Sequence, residues 1–151
     1  MARFTRTELE QAFRGYVEQS ADAVARGDWN AWADRFTEDA LYVEHHFGTF
    51  RGREAIRRWI TETMAPVSEM TFPIEWSVID EEKDAIVFQA WNRMPDPDGG
   101  GPYQAPSWTL LRYAGGGLWS YQEDIYNPNE FMQMMERWST ANARGKAKTS
   151  T

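Results

Sequence analysis

From residue 9 onward, apolar side chains recur at helical spacing. Leu9, Phe13, Tyr16, Val17, Ala21 and Val24 share one stripe until Gly27 interrupts it. Thr7 and Glu10 have the Thr-x-x-Glu spacing of a capping box, which marks the helix start. Asp28 is placed to cap a short second helix with Trp29, Trp32, Ala33 and Phe36 on one face. Thr37-Glu38-Asp39 reads as a turn. Residues 41–47 then alternate as a strand, with Leu41, Val43 and His45 on one face and Tyr42, Glu44 and His46 on the other. After a bend over 48–52, Ala55, Ile56, Trp59, Ile60 and Thr63 form the buried stripe of a third helix, closed by Pro66.

Beyond Pro66 the period changes to two. Strands are predicted over 72–80, 85–94, 107–113 and 118–126, with polar hairpin connections at 81–84 and 114–117. Asn127-Pro128 starts a last helix bearing Phe131, Met135 and Trp138. The expectation is one domain over 1–140 and a flexible tail over 141–151. Hairpin-joined strands with helices gathered on one side predict an α+β fold, a curved and mostly antiparallel sheet whose concave face is covered by helices.

Composition adds one feature. Hydrophobic residues make up 42% and charged residues 26%, both ordinary, but aromatics reach 15% and include eight Trp. So many flat, bulky side chains suit cores, pockets and subunit interfaces. The net charge of −7 and the lack of a basic stripe argue against a nucleic-acid partner. Without Cys there are no disulfides and no thiolate nucleophiles or ligands. Met1 to Arg6 has no apolar leader core, and no apolar run is long enough to span a bilayer, so a cytoplasmic protein without a membrane partner is expected.

Three stretches carry a resemblance. Gly27-Asp28-Trp29-Asn30-Ala31-Trp32, Phe36-Thr37-Glu38-Asp39-Ala40 and Phe50-Arg51-Gly52-Arg53-Glu54-Ala55-Ile56 resemble the SnoaL-like group of the nuclear transport factor 2-like superfamily. Glu123-Asp124-Ile125-Tyr126-Asn127-Pro128 is similar to that family's last strand. The resemblance implies a cone-shaped fold with an internal pocket, commonly assembled as a homodimer. Its members include polyketide cyclases, ketosteroid isomerases, dehydratases, epoxide hydrolases and binding domains without activity, so function must be argued from the site.

Within that frame Val43-Glu44-His45 resembles the Val-Glu-Asp segment that carries the proton-transferring base of ketosteroid isomerases, which puts His45 forward as base or acid. A histidine bonded in a polar patch or a partner interface is the structural alternative. The same resemblance places Ser20 and Thr109 near the two oxyanion donors of those enzymes, with Tyr16 one turn before Ser20 as a stronger donor. Arg93 and Asp124 are candidates for an ion pair that serves either catalysis or architecture. The epoxide hydrolase Asp-Arg-Asp set ends here at Asn127, which cannot act as a base. A metal is not expected, because Glu44, His45 and His46 alternate across the strand and cannot share an ion.

Trp32, Trp59, Trp91 and Trp108 come from different elements, as pocket walls do, and Tyr103 is the contact candidate of the long 95–106 loop. The structural alternative for each Trp is ordinary core, and for the 95–106 segment a plain flexible loop. Two functions follow. The first is a cofactor-independent enzyme that moves protons on a small, apolar, cyclic or polyketide-like molecule by isomerisation, cyclisation or dehydration. The second is a receptor of the same fold without turnover.

Overall fold

The computed structural model describes residues 2–149. Helix α1 (Arg6–Arg26) opens with a capping box formed by Thr5 and Glu8, two residues before the Thr7/Glu10 pair expected. Thr5 Oγ1 accepts from the Glu8 N–H at 3.2 Å, and the Glu8 carboxylate accepts from the Thr5 N–H at 2.7 Å. Two overlapping boxes exist in the sequence. The earlier one is chosen because Phe4, just ahead of the cap, packs edge-on against Tyr113 at 4.8 Å, while Glu10 is engaged by Arg6.

Gly27 ends α1 in the left-handed region at φ 63°, where its N–H reaches the last carbonyls. A single turn, α2 (Asn30–Ala33), buries Trp32 against Phe36 at 4.9 Å. Strand β1 (Phe36–Glu44) starts earlier than expected, so 37–39 is strand and not turn. The backbone of Trp119, which donates to Arg35 O, draws that segment into the sheet. Strand β2 (Gly48–Arg51) hairpins back on β1, and Gly52 lets the chain turn sharply into α3 (Arg53–Met64). Its φ is 89°, and a Cβ there would sit 3.2 Å from the Glu38 carbonyl, so only glycine fits without strain.

After a short 3-10 turn the chain forms β3 (Ile74–Asp80), β4 (Ala85–Met94), β5 (Tyr103–Gly115), β6 (Leu118–Ile125) and α4 (Pro128–Thr149). Two expectations change here. Residues 103–106 pair with 91–94 and belong to β5, which shortens the expected loop. The helix α4 continues where a tail was expected over 141–151; Ala141 is buried and the Trp138 indole N–H donates to Pro95 O at 2.9 Å, so its second half has a seat. Ser150 and Thr151 lie outside the described residues.

The six strands form one curved sheet in the order β2-β1-β6-β5-β4-β3. Every neighbour pair is antiparallel except β1 with β6, which run parallel. The core lies between the sheet's concave face and the helices, centred on Trp119, Phe36, Leu9, Ile56, Ile86 and Leu111, all essentially inaccessible. Side chains of this size contribute about 1.5–3 kcal/mol each when fully buried. Among the described residues no helix is long and apolar enough to cross a membrane.

Candidate active site

Sheet register decides which residues meet. Glu44 on β1 pairs with Asp124 on β6, Asp124 with Thr109 on β5, and Thr109 with Phe88 on β4. This row points inward, as does the row Tyr42, Gln122 and Leu111 beside it. The next row, Val43, Glu123 and Leu110, points outward.

The inward rows form one wall of a cavity of about 700 Å³, within the usual range for small-molecule sites. Helices α1 to α3 supply the opposite wall through Tyr16, Ser20, Trp32 and Trp59, and Phe131 reaches it from α4. The lining is largely aromatic and aliphatic. Its acidic groups are Glu44 and Asp124.

Asp124 is the most heavily engaged. One carboxylate oxygen accepts from Thr109 Oγ1 at 2.8 Å and from the Gln122 amide at 3.1 Å; the other accepts from the Tyr42 hydroxyl. The Gln122 amide also donates to the Tyr42 oxygen at 2.8 Å, and its carbonyl accepts from the Tyr16 hydroxyl at 3.0 Å. Tyr16, Gln122, Tyr42 and Asp124 thus form one buried hydrogen-bonded chain. Burial pushes the Asp124 carboxyl above its ordinary value, the three donors pull it back, and Glu44 adds a further push upward. The hydroxyls of Tyr16 and Tyr42 are driven up by burial and then by the Asp124 charge, so both stay neutral donors.

Glu44 is held differently. Its two oxygens accept the backbone N–H groups of His46 and Phe47, each at 3.0 Å. The tight turn after β1 is therefore wrapped around a buried carboxylate. The Tyr126 hydroxyl is pushed up by burial and then by the Glu44 charge.

Several expected site residues lie here. Tyr16, Ser20, Trp32, Trp59, Thr109 and Asp124 all line the cavity. Ser20 is a linker: it donates to Tyr16 O at 2.9 Å and accepts from the Trp32 indole at 3.2 Å. Others lie elsewhere. His45 is on the outer face, half exposed, with Nε2 2.6 Å from Glu123. The expected facing of β1 is reversed because the cavity wall itself is polar: Tyr42 and Glu44 turn toward it, while the aliphatic Leu41 and Val43 serve the outer surface. Arg93 borders the cavity, but its guanidinium donates to Gln104 at 2.7 Å and not to Asp124, whose partners are all neutral.

Trp91 and Trp108 are outer-face residues whose indoles donate to Glu75 and Gln89. Tyr103 is buried in a separate recess beside α4, donating to Asp98 at 2.8 Å. Asn127 accepts from the Asn129 N–H and caps α4. The sequence reading missed Tyr42, Glu44, Gln122 and Tyr126. The signal was available: Gln122, Asp124 and Tyr126 put three polar groups at every second position along β6 and just past its end, and Tyr42 with Glu44 repeats the device on its neighbour.

With this geometry in view, the matching family model is that of the SnoaL-like domain, over residues 17–121. The chain belongs to the SnoaL-like domain family. A comparison with curated proteins finds no significant match. Among solved structures, this SnoaL-like protein is similar to a protein of ketosteroid isomerase-like fold from Catenulispora acidiphila DSM 44928 in complex with trimethylamine. The two are 25% identical with a TM-score of 0.60, covering 79% of this chain and 90% of that one. An epoxide hydrolase from M. tuberculosis shares the fold at 15% identity and TM-score 0.64, over 89% and 94% of the two chains. So does the epoxide hydrolase/cyclase-like enzyme SalBIII of pyran ring formation in salinomycin, at 13% identity and TM-score 0.64, over 82% and 94%.

Proposed function

We propose that this SnoaL-like protein is a cofactor-independent enzyme that moves a proton on a small, apolar, ring-bearing substrate, with Asp124 as the base. The observation that carries the reading is a carboxylate at the wall of an aromatic cavity whose pKa is raised by burial. A raised pKa makes Asp124 a stronger base than a solvated aspartate. Asp124 takes a proton from a carbon beside an electron-withdrawing group and returns it to a different atom of the substrate. With return to another carbon the result is isomerisation; with loss of a leaving group it is dehydration; with attack of the carbanion within the same molecule it is cyclisation. Tyr42, Thr109 and Gln122 fix the carboxylate, and Tyr16 fixes Gln122.

The test is turnover of a C–H-acidic probe, cyclohex-3-en-1-one, followed by the absorbance of the conjugated enone. The expected result is that Asp124→Asn slows the wild-type rate by about 100-fold or more while probe affinity stays within a few-fold. An unchanged rate in that variant removes Asp124 as base. One observation favours a receptor without turnover: Asp124 is already bonded to three donors. A wild type that binds the probe, yet neither isomerises it nor exchanges its protons with deuterated solvent, establishes that second reading.

The outer sheet face supports a homodimer. Trp76, Gln89, Trp108 and Ile125 form one row across four strands, with Trp108 54% and Ile125 57% exposed and Val78 beside them 59% exposed. Monomers rarely leave such a row open. A second copy of the same face is its occupant in this reading, since a twofold axis makes one apolar row self-complementary.

A further inference from the structure

The cavity's charge is unbalanced, and the imbalance is built in. Glu44 and Asp124 stand in register on adjacent strands and on the same face, where like charges repel. All their hydrogen-bond partners are neutral: two backbone N–H groups for Glu44, and a phenol, an alcohol and an amide for Asp124. Such donors hold a carboxylate in place without cancelling its charge. One cation, Arg93, also borders the cavity, its guanidinium held on Gln104 and paired with neither acid, so two carboxylates stand against one guanidinium; the chain's two histidines do not line the space. His45 bonds Glu123 on the outer face, and exposed His46 offers Glu44 only its backbone.

The rest of the wall is electron-rich. Trp29, Trp32, Tyr42, Trp59, Phe88 and Tyr126 present rings to the same space. Trp32 and Trp59 flank Tyr42 at centroid distances of 6.4 and 4.8 Å. Aromatic faces attract cations, most strongly when water is excluded. An anionic ligand would add a third negative charge, and a neutral one would leave the repulsion in place. A cation relieves it and gains the ring faces as well.

We propose that the cavity selects molecules that carry a positive charge on an apolar frame, namely protonated or quaternary amines. The inference rests on the proposed use of this cavity as the substrate site, and it names the substrate class. In the proton-transfer scheme an ammonium group beside the reacting carbon lowers that carbon's acidity barrier and pairs with Glu44 while Asp124 works.

The probes are a shape-matched set: (4-hydroxyphenyl)trimethylammonium, its neutral carbon isostere 4-tert-butylphenol, and the anion 4-tert-butylbenzoate. Binding to the full chain is read by calorimetry and by Trp fluorescence. The expected result is that the cation binds about tenfold tighter than the isostere, with the anion weakest. Glu44→Gln and Asp124→Asn should each shrink the ratio of cation to 4-tert-butylphenol affinity at least about threefold. If 4-tert-butylphenol binds as tightly as the cation, the inference is wrong and the cavity remains a neutral apolar site. A cation preference that survives both substitutions also overturns it, because the acids then do not read the charge. If none of the three binds the wild type, the cavity is no ligand site and the proposed function falls with the inference.

Discussion

With the strand faces known, the proposed base is Asp124 and not His45, and the difference is testable at single residues. Replacing His45 with Gln removes only a half-exposed contact to Glu123, of the kind worth at most about 1 kcal/mol. Turnover in His45→Gln should match the wild type, and a loss of activity there would return the base to the outer face. Asp124 has the opposite profile. Its folded-state pKa lies above the ordinary 3.8, so the native chain binds more protons than the unfolded one. Stability contributed by this residue is therefore full below 3.8 and falls as pH rises through the folded value. Denaturant titrations across pH should show that slope in the wild type and a flatter one in Asp124→Asn. The rate should move the other way, with kcat/KM rising as Asp124 ionises.

Among the elements, the start of α1 shows how much the local sequence reveals. Two capping boxes overlap, and the packing of Phe4 on Tyr113 picks the first. Thr5→Ala should cost about 1 kcal/mol in chemical denaturation, whereas Thr7→Ala should stay within about 0.5 kcal/mol. Equal losses would mean that neither box dominates. Helices α1 and α3, the hairpin turns and the curved-sheet class were legible because each depends on spacing and turn chemistry within a few residues. The site was less legible. Tyr16, Ser20, Trp32, Trp59, Thr109 and Asp124 could be named from resemblance and aromatic richness, but the direction of β1 could not. Alternation fixes that Tyr42 and Glu44 share a face; it does not say which face is inside. An apolar outer row and a polar cavity wall inverted the usual cue, which is why His45 was favoured over Glu44.

For the whole molecule, the apolar row on the convex face sets the expected assembly. Light scattering should give the mass of two chains, and Trp108→Glu, which places a charge in the centre of that row, should give the mass of one. A monomeric wild type would remove the dimer. The cavity residues lie on the opposite face of the sheet, so binding of 4-tert-butylphenol should survive the split.

The parallel pairing of β1 with β6 has a consequence in time. Among the described residues Glu44 belongs to the first strand and Asp124 to the last, yet they are neighbours across one ladder. A chain emerging from the ribosome holds half of its chemistry for some eighty residues before the other half exists, and until then β1 and β5 both present open edges to the cell. The cavity wall therefore closes only after β6 has been made. A chain that stops before β6 cannot carry it.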